Sequence, residues 1–399
     1  MFYSMRFDNK AITALIALIF ALWAWAGEVS AAEILVGTQD EFQDAVKDAR
    51  PGDTVVLKDG EWRDFEILFR GIGKPGKPIT LTAQNKGKVF ITGRSNLRLA
   101  GEHLVVSGLV FKDGYSPTNT VIAFRQSKGK YANHSRVTET VIDHFNNPER
   151  FESDFWVMMY GKHNRFDHNH LEGKSNQGVT MAVRLDSEES QQNEHRIDHN
   201  YFGPRPVLGS NGGETLRIGT SHYSLSDSLT LVENNYFDRC NGEVEIISSK
   251  SGGNVFRGNL FYESRGTLTL RHGNGNLVEN NIFLGNRVDH TGGIRVINKR
   301  QTIRNNYLYG LTGHRFGGAL VIMNGVPNSP INRYVKAPAN RMPFQKCSQQ
   351  PPRLPAGTAH LCTHPQCDSN GIRRRSWIHR KIRVSLESTH WVCWDNSQT

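Results

Sequence analysis

Two glutamates and a lysine lie close together in the segment NGEVEIISSK, which spans residues 241–250. Val244 and Ile246 alternate with Glu243 and Glu245, and such alternation is typical of a β-strand whose two faces have different surroundings. The pattern predicts that the valine and the isoleucine face a core and that both glutamates face outward. Since like charges on one face repel each other, this arrangement requires a compensating group.

Further polar residues are expected beside these glutamates if the strands stack as successive coils, about 4.8 Å apart. Asn211 and Glu214 come one predicted coil earlier. Thr267, Thr269 and Arg271 come one coil later. Three carboxylates and an amide oxygen then converge, and an all-oxygen set of this kind suits Ca²⁺ better than Zn²⁺. The alternative is a solvated outer face that is balanced by counterions and nearby basic side chains.

Lys250 and Arg271 extend this cluster toward a specific reaction. A cation flanked by a lysine and an arginine suits an acidic polymer, and in particular β-elimination from a uronic acid. The C5 proton of such a sugar is weakly acidic because the adjacent carboxylate is charged, and bound Ca²⁺ would neutralise that charge. Lys250 would take the proton if cationic neighbours lower its pKa well below the usual value of about 10.4. Arg271 would assist the departure of O4, although each residue alone is ordinarily a surface charge.

A repeat in the sequence supplies the coils that these residues need. Six segments share an apolar residue three positions before an asparagine, and the asparagines follow one another at intervals of 31, 35, 24, 22 and 25 residues. Self-similarity of this kind indicates a solenoid, and β-rich runs between the asparagines give each coil several short strands. The asparagines are Asn169, Asn200, Asn235, Asn259, Asn281 and Asn306.

We therefore predict an all-β fold, a right-handed parallel β-helix. A leucine-rich repeat also places an asparagine after a short strand, but its period is shorter and its helical half needs leucines that are missing here. We assign the asparagines a structural role. Each is expected at a bend, where left-handed backbone geometry and bonding to nearby backbone suit asparagine, and stacked coils would align the amides in a ladder.

A short capping helix is predicted before the repeat. Phe42, Ala45, Val46 and Ala49 recur on one helical face, and Thr38 is suited to the N-cap position. An amphipathic helix at this place would cover the open first coil of the solenoid.

The two ends of the chain differ in composition from the repeat. Residues 1–31 combine basic residues, an apolar run and small residues, which predicts a signal peptide and a secreted or periplasmic protein without a membrane anchor after cleavage. Residues 32–334 hold the predicted β-helix domain. In residues 335–399 the asparagine pattern vanishes, and we hypothesise that this tail is a frameshifted translation, a disordered segment or an unrelated extension.

Charge and cysteine content are also concentrated in the tail. The chain has a formal net charge of +10, but residues 335–399 alone hold ten Lys or Arg against three Asp or Glu. The rest of the chain is only mildly basic, so the net charge gives no support for a nucleic-acid partner. Four of the five cysteines lie in the tail. Cys240 is expected to be a small buried side chain, and the body of the protein is not held by disulfides.

Three segments resemble the motifs of a known family. The segments SNGGETLRIG (210–219), NGEVEIISSK (241–250) and LTLRHG (268–273) are similar, in this order, to motifs of the polysaccharide lyase family that contains chondroitinase B and β-helical alginate lyases. The resemblance extends from about Val36 to Tyr334. It implies a right-handed parallel β-helix and Ca²⁺-assisted elimination from an acidic polysaccharide. The signal peptide and the single helix favour alginate, especially mannuronate-rich chains, over dermatan sulfate.

Residue roles follow from the resemblance at the matching positions. It implies that Lys250 is the base and that Arg271 is the acid. The calcium ligands that it implies are Asn211, Glu214, Glu243 and Glu245.

Four other residues are candidates for binding the polymer. Arg184 and Arg217 end strands analogous to the one that ends in Arg271, so either side chain could meet substrate carboxylates along a groove. His272 follows Arg271 directly, and Arg315 precedes the last predicted strand on the same side. The alternatives are surface arginines whose stems pack on a neighbouring coil and a turn histidine bonded to the backbone.

Three other functions are compatible with the same fold. A β-helical glycoside hydrolase needs two carboxyl groups that flank the glycosidic bond, and it gives Lys250 and Arg271 little purpose. A non-catalytic solenoid that binds polysaccharide would keep the asparagines, but it has no reason to gather three glutamates and a lysine on one face. A dermatan sulfate lyase is the third alternative, because the family includes that activity.

Overall fold

The computed structural model describes residues 31–323, and the regular structure in this part of the chain is almost entirely β. Apart from Ala31, the predicted signal peptide lies outside the described residues. So do residues 324–334 of the predicted β-helix domain and the whole of the predicted tail. Between residues 31 and 323 there is no helix with the length and apolar character needed to cross a membrane.

The described chain winds into coils that form three long parallel sheets, which confirms the predicted right-handed parallel β-helix. The first sheet takes one strand from each coil, and residues in register recur in type, as Phe166, Ile197 and Val232 do. In spatial order its strands are Glu33–Val36, Thr54–Leu57, Ile79–Ala83, Leu104–Ser107, Arg136–Thr138, Arg165–Asp167, Arg196–Asp198, Leu231–Glu233, Val255–Arg257, Leu277–Glu279 and Thr302–Arg304.

The second sheet follows the first around each coil. Its buried positions carry stacked phenylalanines, because strands in parallel register place the same residue type at the same height in each coil. The rings of Phe202, Phe237, Phe261 and Phe283 follow one another at 4.9, 4.7 and 4.3 Å and are nearly parallel. The strands are Gly60–Arg63, Val89–Arg94, Leu109–Tyr115, Val141–Asp143, His170–Glu172, Tyr201–Phe202, Tyr236–Asp238, Leu260–Tyr262, Ile282–Leu284 and Tyr307–Tyr309.

The third sheet carries the predicted site residues. It is parallel except for one hairpin, in which Arg125–Ser127 pairs with Lys130–Asn133 in the antiparallel direction. Its remaining strands are Glu66–Ile72, Asn96–Glu102, Thr120–Ala123, Phe155–Met159, Met181–Val183, Leu216–Ile218, Glu245–Lys250, Gly266–His272, Thr291–Val296 and Leu320–Ile322. The apolar core lies between the three sheets.

The asparagine ladder is confirmed at the bend between the first and second sheets. Each amide oxygen accepts bonds from the preceding coil, as Asn235 does from the backbone N–H and the side-chain amide of Asn200, both at 3.0 Å. The prediction that these asparagines adopt left-handed backbone geometry is wrong. That geometry belongs to the residue before each one, such as His168 and His199, both with φ of 56°. The ladder asparagines therefore contribute buried amide bonds rather than the turn itself.

The predicted helix spans Gln39–Asp48 and is capped by Thr38, whose hydroxyl accepts a bond from the backbone N–H of Glu41 at 3.2 Å. Phe42, Ala45 and Val46 are buried. The ring of Phe42 packs edge-on against Phe65 with 5.2 Å between centroids. The helix thus covers the apolar end of the first coils, as the sequence predicted.

Candidate active site

The strand that carries the two glutamates begins later than the sequence pattern indicated. It spans Glu245–Lys250, and Glu243 and Val244 belong to the preceding turn. The prediction that Val244 faces the core is wrong, because 49% of its surface is exposed. Ile246 is buried as predicted. Glu245 points to the outer face of the sheet as predicted, and it is only 6% exposed because the side chains of that face cover it.

A β-bulge determines the direction of Lys250. In a regular strand, residues five positions apart point to opposite faces, so Glu245 and Lys250 would not meet. Here the register with the next strand shifts between Glu245 and Ile247, and both Ile246 and Ile247 are buried in the core. The extra residue reverses the alternation. Glu245, Ser248 and Lys250 consequently share the outer face of the third sheet.

The predicted catalytic residues and cation ligands line one cavity of about 390 Å³. It lies over the third sheet, and the turns before two of the strands contribute one wall. Seven of its ten lining residues are charged or polar, and one of these seven, Arg295, comes from the strand Thr291–Val296. The lining residues are Asn211, Glu214, Glu243, Val244, Glu245, Lys250, Arg271, Arg295, Phe316 and Met323.

Glu245 is the carboxylate with the most partners. Its Oε1 atom is bonded by Arg271, at 3.3 Å, and by Arg295, which is buried. Its other oxygen accepts a bond from the hydroxyl of Ser248. These contacts join three successive strands of the third sheet, so Glu245 fixes the position of Arg271 relative to the rest of the site.

Glu214 lies one coil earlier and is almost fully buried. Its Oε1 atom accepts bonds from Nε and Nη2 of Arg217 at 3.0 and 2.6 Å. The Oε2 atom is buried without a hydrogen-bond partner. Burial favours the neutral acid, but the attraction of Arg217 and its hydrogen bonds outweigh burial, so the pKa of Glu214 lies below its usual value. The carboxylate is therefore charged, and one of its two oxygens is buried without a hydrogen-bond partner.

Glu243 faces the same space from the neighbouring turn. One oxygen accepts bonds from the backbone N–H groups of Gly212 and Gly213, at 2.9 and 3.0 Å. Burial and the negative charge of Glu214 raise the pKa of Glu243 above its usual value. Glu214 and Glu243 therefore disfavour each other's ionisation, and Glu214 has a buried oxygen without a hydrogen-bond partner. A cation bound between them would be stabilising.

Lys250 ends its strand beside these carboxylates and is partly buried. Burial, followed by the positive charge of Arg217, lowers the pKa of Lys250 below its ordinary value, and Arg271 acts in the same direction. Because the neutral amine is the form that can accept a proton, this environment favours a base. Arg217 and Arg271 are thus the cationic neighbours on which the role of Lys250 as a base was made conditional.

Comparison with known proteins places the chain in a family. Residues 36–342 match the family model described as chondroitinase B. The chain belongs to the chondroitinase B family. No curated protein sequence matches it significantly.

Solved structures similar to this chondroitinase B family member include the PL6 family alginate lyase AlyGC. The two chains are 73% identical, with a TM-score of 0.74 over 76% of this chain and 42% of AlyGC. A mannuronic acid specific family 6 lyase from human gut microbiota is 38% identical, with a TM-score of 0.71 over 76% of this chain and 71% of that one. The PL6 family polysaccharide lyase Pedsa3628 from Pseudopedobacter saltans is 28% identical, with a TM-score of 0.66 over 75% and 72% of the chains. The family member thus spans less than half the length of AlyGC.

The other predicted substrate-binding residues of this family member lie around the cavity rather than in it. Arg217 donates a hydrogen bond to Glu214, which lines the cavity. His272 is 7% exposed and in register with Lys250. Burial, with the charges of Lys250 and Arg271, lowers the pKa of His272 to about 4, so the ring is neutral. Arg184 lies further along the sheet, where its Nε atom is 3.2 Å from Asp186. Arg315 lines a separate adjoining cavity of about 650 Å³.

Two residues of the site were missed by sequence reasoning. Arg295 bonds Glu245, and Ser248 supplies a hydroxyl to the same carboxylate. A signal for Arg295 was present, because it alternates with Ile294 and Val296 and must face outward on the site's side of the sheet. Ser248 gave no such signal, since its direction depends on the bulge.

A divalent cation fits part of the predicted ligand set of this family member. Within residues 31–323, no three acidic, histidine or cysteine side chains already stand in an arrangement that holds a metal ion. Glu214 and Glu243 are nevertheless a like-charged pair with an open buried oxygen, and they share a cavity with Asn211 and Glu245. This all-oxygen chemistry is suited to Ca²⁺.

Proposed function

We propose that this chain is an alginate lyase of the poly(β-D-mannuronate) lyase type. It would cleave 1,4-linked, mannuronate-rich uronate chains by β-elimination and leave a 4,5-unsaturated uronate at the new end. The observation that carries the proposal is the presence of Lys250 and Arg271 in one cavity with three glutamates. The similarity to the alginate lyase AlyGC and to a mannuronic acid specific lyase supports it.

The reaction requires one proton to leave and one to arrive. The C5–H bond breaks, its electron pair forms the C4=C5 double bond, and the C4–O4 bond breaks. Lys250 accepts the C5 proton as a neutral amine, which burial and Arg217 favour. Arg271 donates a hydrogen bond to O4 and stabilises its developing negative charge, and solvent water supplies the proton with which O4 leaves as a hydroxyl group.

Ca²⁺ is part of this proposal. Its ligands would be Asn211, Glu214, Glu243 and Glu245, which all line the cavity. When bound there, the cation would neutralise the negative charge of the sugar carboxylate and so make the C5 proton more acidic. Glu214 and Glu243 have the clearest reason to bind it, because they are close and of like charge. Arg217 and Arg295 hold Glu214 and Glu245 in their present orientations.

Ultraviolet absorbance during incubation with alginate tests the proposal. Only elimination leaves a double bond conjugated to the carboxylate, so absorbance should rise with the purified protein. Lys250→Ala and removal of divalent cations by a chelator should each abolish the rise, and added Ca²⁺ should restore the chelated wild type. The control variant is Lys128→Ala, an exposed lysine outside the cavity, which should retain full activity.

The alternative functions give different results in the same assay. A hydrolase would release reducing ends without absorbance, and a binding solenoid would retain alginate without shortening it. Dermatan sulfate belongs in the substrate panel because the matching family model is described as chondroitinase B. Faster elimination from dermatan sulfate than from alginate would overturn the substrate assignment, and full activity of Lys250→Ala would overturn the mechanism.

A secreted or periplasmic location is a second part of the proposal. It is supported by the composition of residues 1–31, which is that of a signal peptide. Expression in a bacterial host, fractionation and N-terminal sequencing test it. The mature chain should begin at Ala32 or Glu33, and an intact Met1 in the cytoplasmic fraction would contradict the assignment.

A further inference from the structure

A buried arginine lies directly behind the segment that supplies Glu214 to the site. Arg205 follows the strand Tyr201–Phe202 of the second sheet and is 3% exposed. It does not line the cavity. Neither the sequence motifs nor the proposed reaction gives it a role, although burial of a guanidinium group is costly unless its donors are bonded.

The guanidinium group of Arg205 binds backbone carbonyls from two successive coils. Its Nη1 atom donates to the carbonyl of Glu214 at 3.0 Å and to the hydroxyl of Thr180 at 3.2 Å. Its Nη2 atom donates to three further carbonyl oxygens. These belong to Gly178 at 2.8 Å, Asn176 at 3.1 Å and Gly212 at 3.4 Å. One side chain therefore fastens both ends of the segment Gly212–Glu214.

The backbone around Arg205 is shaped to admit the guanidinium group. A Cβ atom on Gly242 would lie 2.7 Å from Nε of Arg205 and 2.2 Å from the carbonyl oxygen of Gly213. A Cβ atom on Gly213 would lie 2.4 Å from the carbonyl oxygen of Gly242. These glycines allow the turns of two coils to close over the arginine. The packing links Arg205 to both turns that carry the candidate cation ligands.

The charge of Arg205 is balanced through space rather than by direct pairing. Within residues 31–323, no carboxylate oxygen forms a salt bridge with it. Burial lowers the pKa of Arg205 to about 10, and the nearby charge of Glu214 opposes this effect. The group is thus protonated at neutral pH. Its positive charge favours the ionised forms of Glu214 and Glu243, which lie in front of it.

We propose that Arg205 is a positioning residue for the cation site: it holds the segment Gly212–Glu214 so that the Glu214 carboxylate and the two N–H groups that bind Glu243 keep their places. The inference rests on the proposed function, because the cation is part of that function. A residue that orients metal ligands from behind typically changes metal affinity by about 10–100-fold when it is replaced.

Calorimetric titration of the metal-free protein with Ca²⁺ tests the inference without reference to activity. Arg205→Met removes both the charge and the donors, and we expect Ca²⁺ affinity to fall at least about ten-fold. Arg205→Lys keeps the charge but has fewer donors in a different geometry, so an intermediate loss is expected. At saturating Ca²⁺, both variants should recover most of the wild-type kcat, whereas Lys250→Ala should recover none.

A matched variant separates positioning from general destabilisation. Arg136 is another arginine that bonds a neighbouring coil, there through the carboxylate of Asp167, but it lies in the first sheet and away from the cavity. Arg136→Met should lower the Tm and leave Ca²⁺ affinity unchanged. If Arg205→Met does not fold, Arg205→Lys decides the question.

The outcomes distinguish this inference from the proposed function. A wild-type protein that binds no Ca²⁺ and forms no unsaturated product would overturn the proposed function and the inference together. A wild-type protein that does both, combined with folded Arg205 variants of unchanged Ca²⁺ affinity, would overturn only the role of Arg205.

Discussion

At the scale of single residues, the acidic and basic side chains of the candidate site lie so close together that the charge of each one affects the ionisation of the others. Glu245 is neutralised by Arg271 and Arg295, and Glu214 is neutralised by Arg217. Glu243 has only backbone N–H partners at its Oε2 atom. It is therefore the carboxylate whose charge most needs a bound cation.

Replacement of Glu243 should affect stability and cation binding in opposite ways. Burial and Glu214 raise the pKa of Glu243 in the folded protein. For such an acid, stability falls as the pH rises from the unfolded pKa through the folded one, so at neutral pH its charge is destabilising. Without divalent cations, Glu243→Gln should raise the Tm by about 2 °C. Excess Ca²⁺ should raise the Tm of the wild type but not that of the variant. Thermal melts with chelator and with Ca²⁺ provide the measurement, and a lower Tm for the variant in chelator would contradict the argument.

Arg217 should control the pH dependence of catalysis. Burial is the main cause of the lowered pKa of Lys250, and Arg217 is the next. Since the base acts as a neutral amine, kcat/KM should rise with pH as Lys250 loses its proton. Arg217→Met removes a positive charge and leaves Glu214 unpaired, and both changes raise the pKa of Lys250. The rising limb should move to higher pH, with activity lost at neutral pH and regained in alkaline buffer.

The control for this profile is Arg257→Met, which breaks an ion pair with Glu233 in the first sheet. It should leave the pH at which activity rises unchanged. An equal loss of activity at every pH for Arg217→Met would show that Arg217 acts on the site through Glu214 alone.

At the scale of elements, the regular parts were predictable and the irregular ones were not. The capping helix, the ladder asparagines and the parallel coils follow from periodicity, because each repeats a local rule. The direction of Lys250 depends on a bulge next to Glu245. A single extra residue reverses which side chains face outward in the rest of the strand, and it leaves no pattern in the sequence. The exposure of Val244 was also not predictable, because alternation does not show where a strand begins.

The asparagine ladder should be a large contributor to stability. Asn235 accepts two bonds from Asn200 and donates its side-chain N–H groups to the carbonyl of Ile197 at 2.9 Å and to Asn259 at 3.0 Å. Asn235→Ala leaves several buried groups without partners, and each costs about 1–3 kcal/mol. We expect a total loss of about 3 kcal/mol in urea unfolding. Asn119→Ala, an exposed asparagine, is the control and should change stability by less than about 0.5 kcal/mol.

Activity separates this structural role from a catalytic one. The ladder lies at the bend between the first and second sheets, whereas the cavity lies over the third sheet. Well below its Tm, Asn235→Ala should therefore keep kcat/KM close to that of the wild type. A loss of activity without a loss of stability would refute the structural assignment.

At the scale of the whole molecule, the described coils contain every residue of the candidate site, although the chain spans only 42% of the length of AlyGC. The third sheet presents Arg184, Arg217, Lys250 and Arg271 in coil order along one direction. Adjacent coils lie about 4.8 Å apart, so these side chains form a basic track that suits an extended acidic polymer, although its three arginines each also pair with a carboxylate of the chain. The net charge of +10 does not reveal this track, because much of that charge lies in residues 335–399.

Arg184 should bind sugars at a distance from the reacting bond. It lies two coils before Lys250, since Val183 is in register with Ile218 and Ile218 with Ser249. Arg184→Met should therefore raise KM for polymeric alginate several-fold and leave kcat nearly unchanged, because distant contacts contribute binding that is equal in the ground and transition states. The shortest cleavable oligosaccharides should show no change. Arg63→Met, on the second sheet, is the control, and a fall in kcat without a rise in KM would place Arg184 nearer the chemistry.

The basic track also predicts how the proposed lyase activity responds to salt. The screening length is about 10 Å at 0.1 M salt and about 3 Å at 1 M, so exposed charges along the track lose most of their attraction for the polymer over this range. Lys250 and the carboxylates around it are partly or fully buried and are screened much less. With Ca²⁺ held constant and saturating, KM for polymeric alginate should rise about ten-fold between these concentrations, while kcat changes far less. Arg184→Met should show a shallower rise, because one of the screened charges is already gone. A fall in kcat at constant KM would mean that salt acts on the cation site rather than on the track, and titration of Ca²⁺ at each salt concentration would then locate the effect.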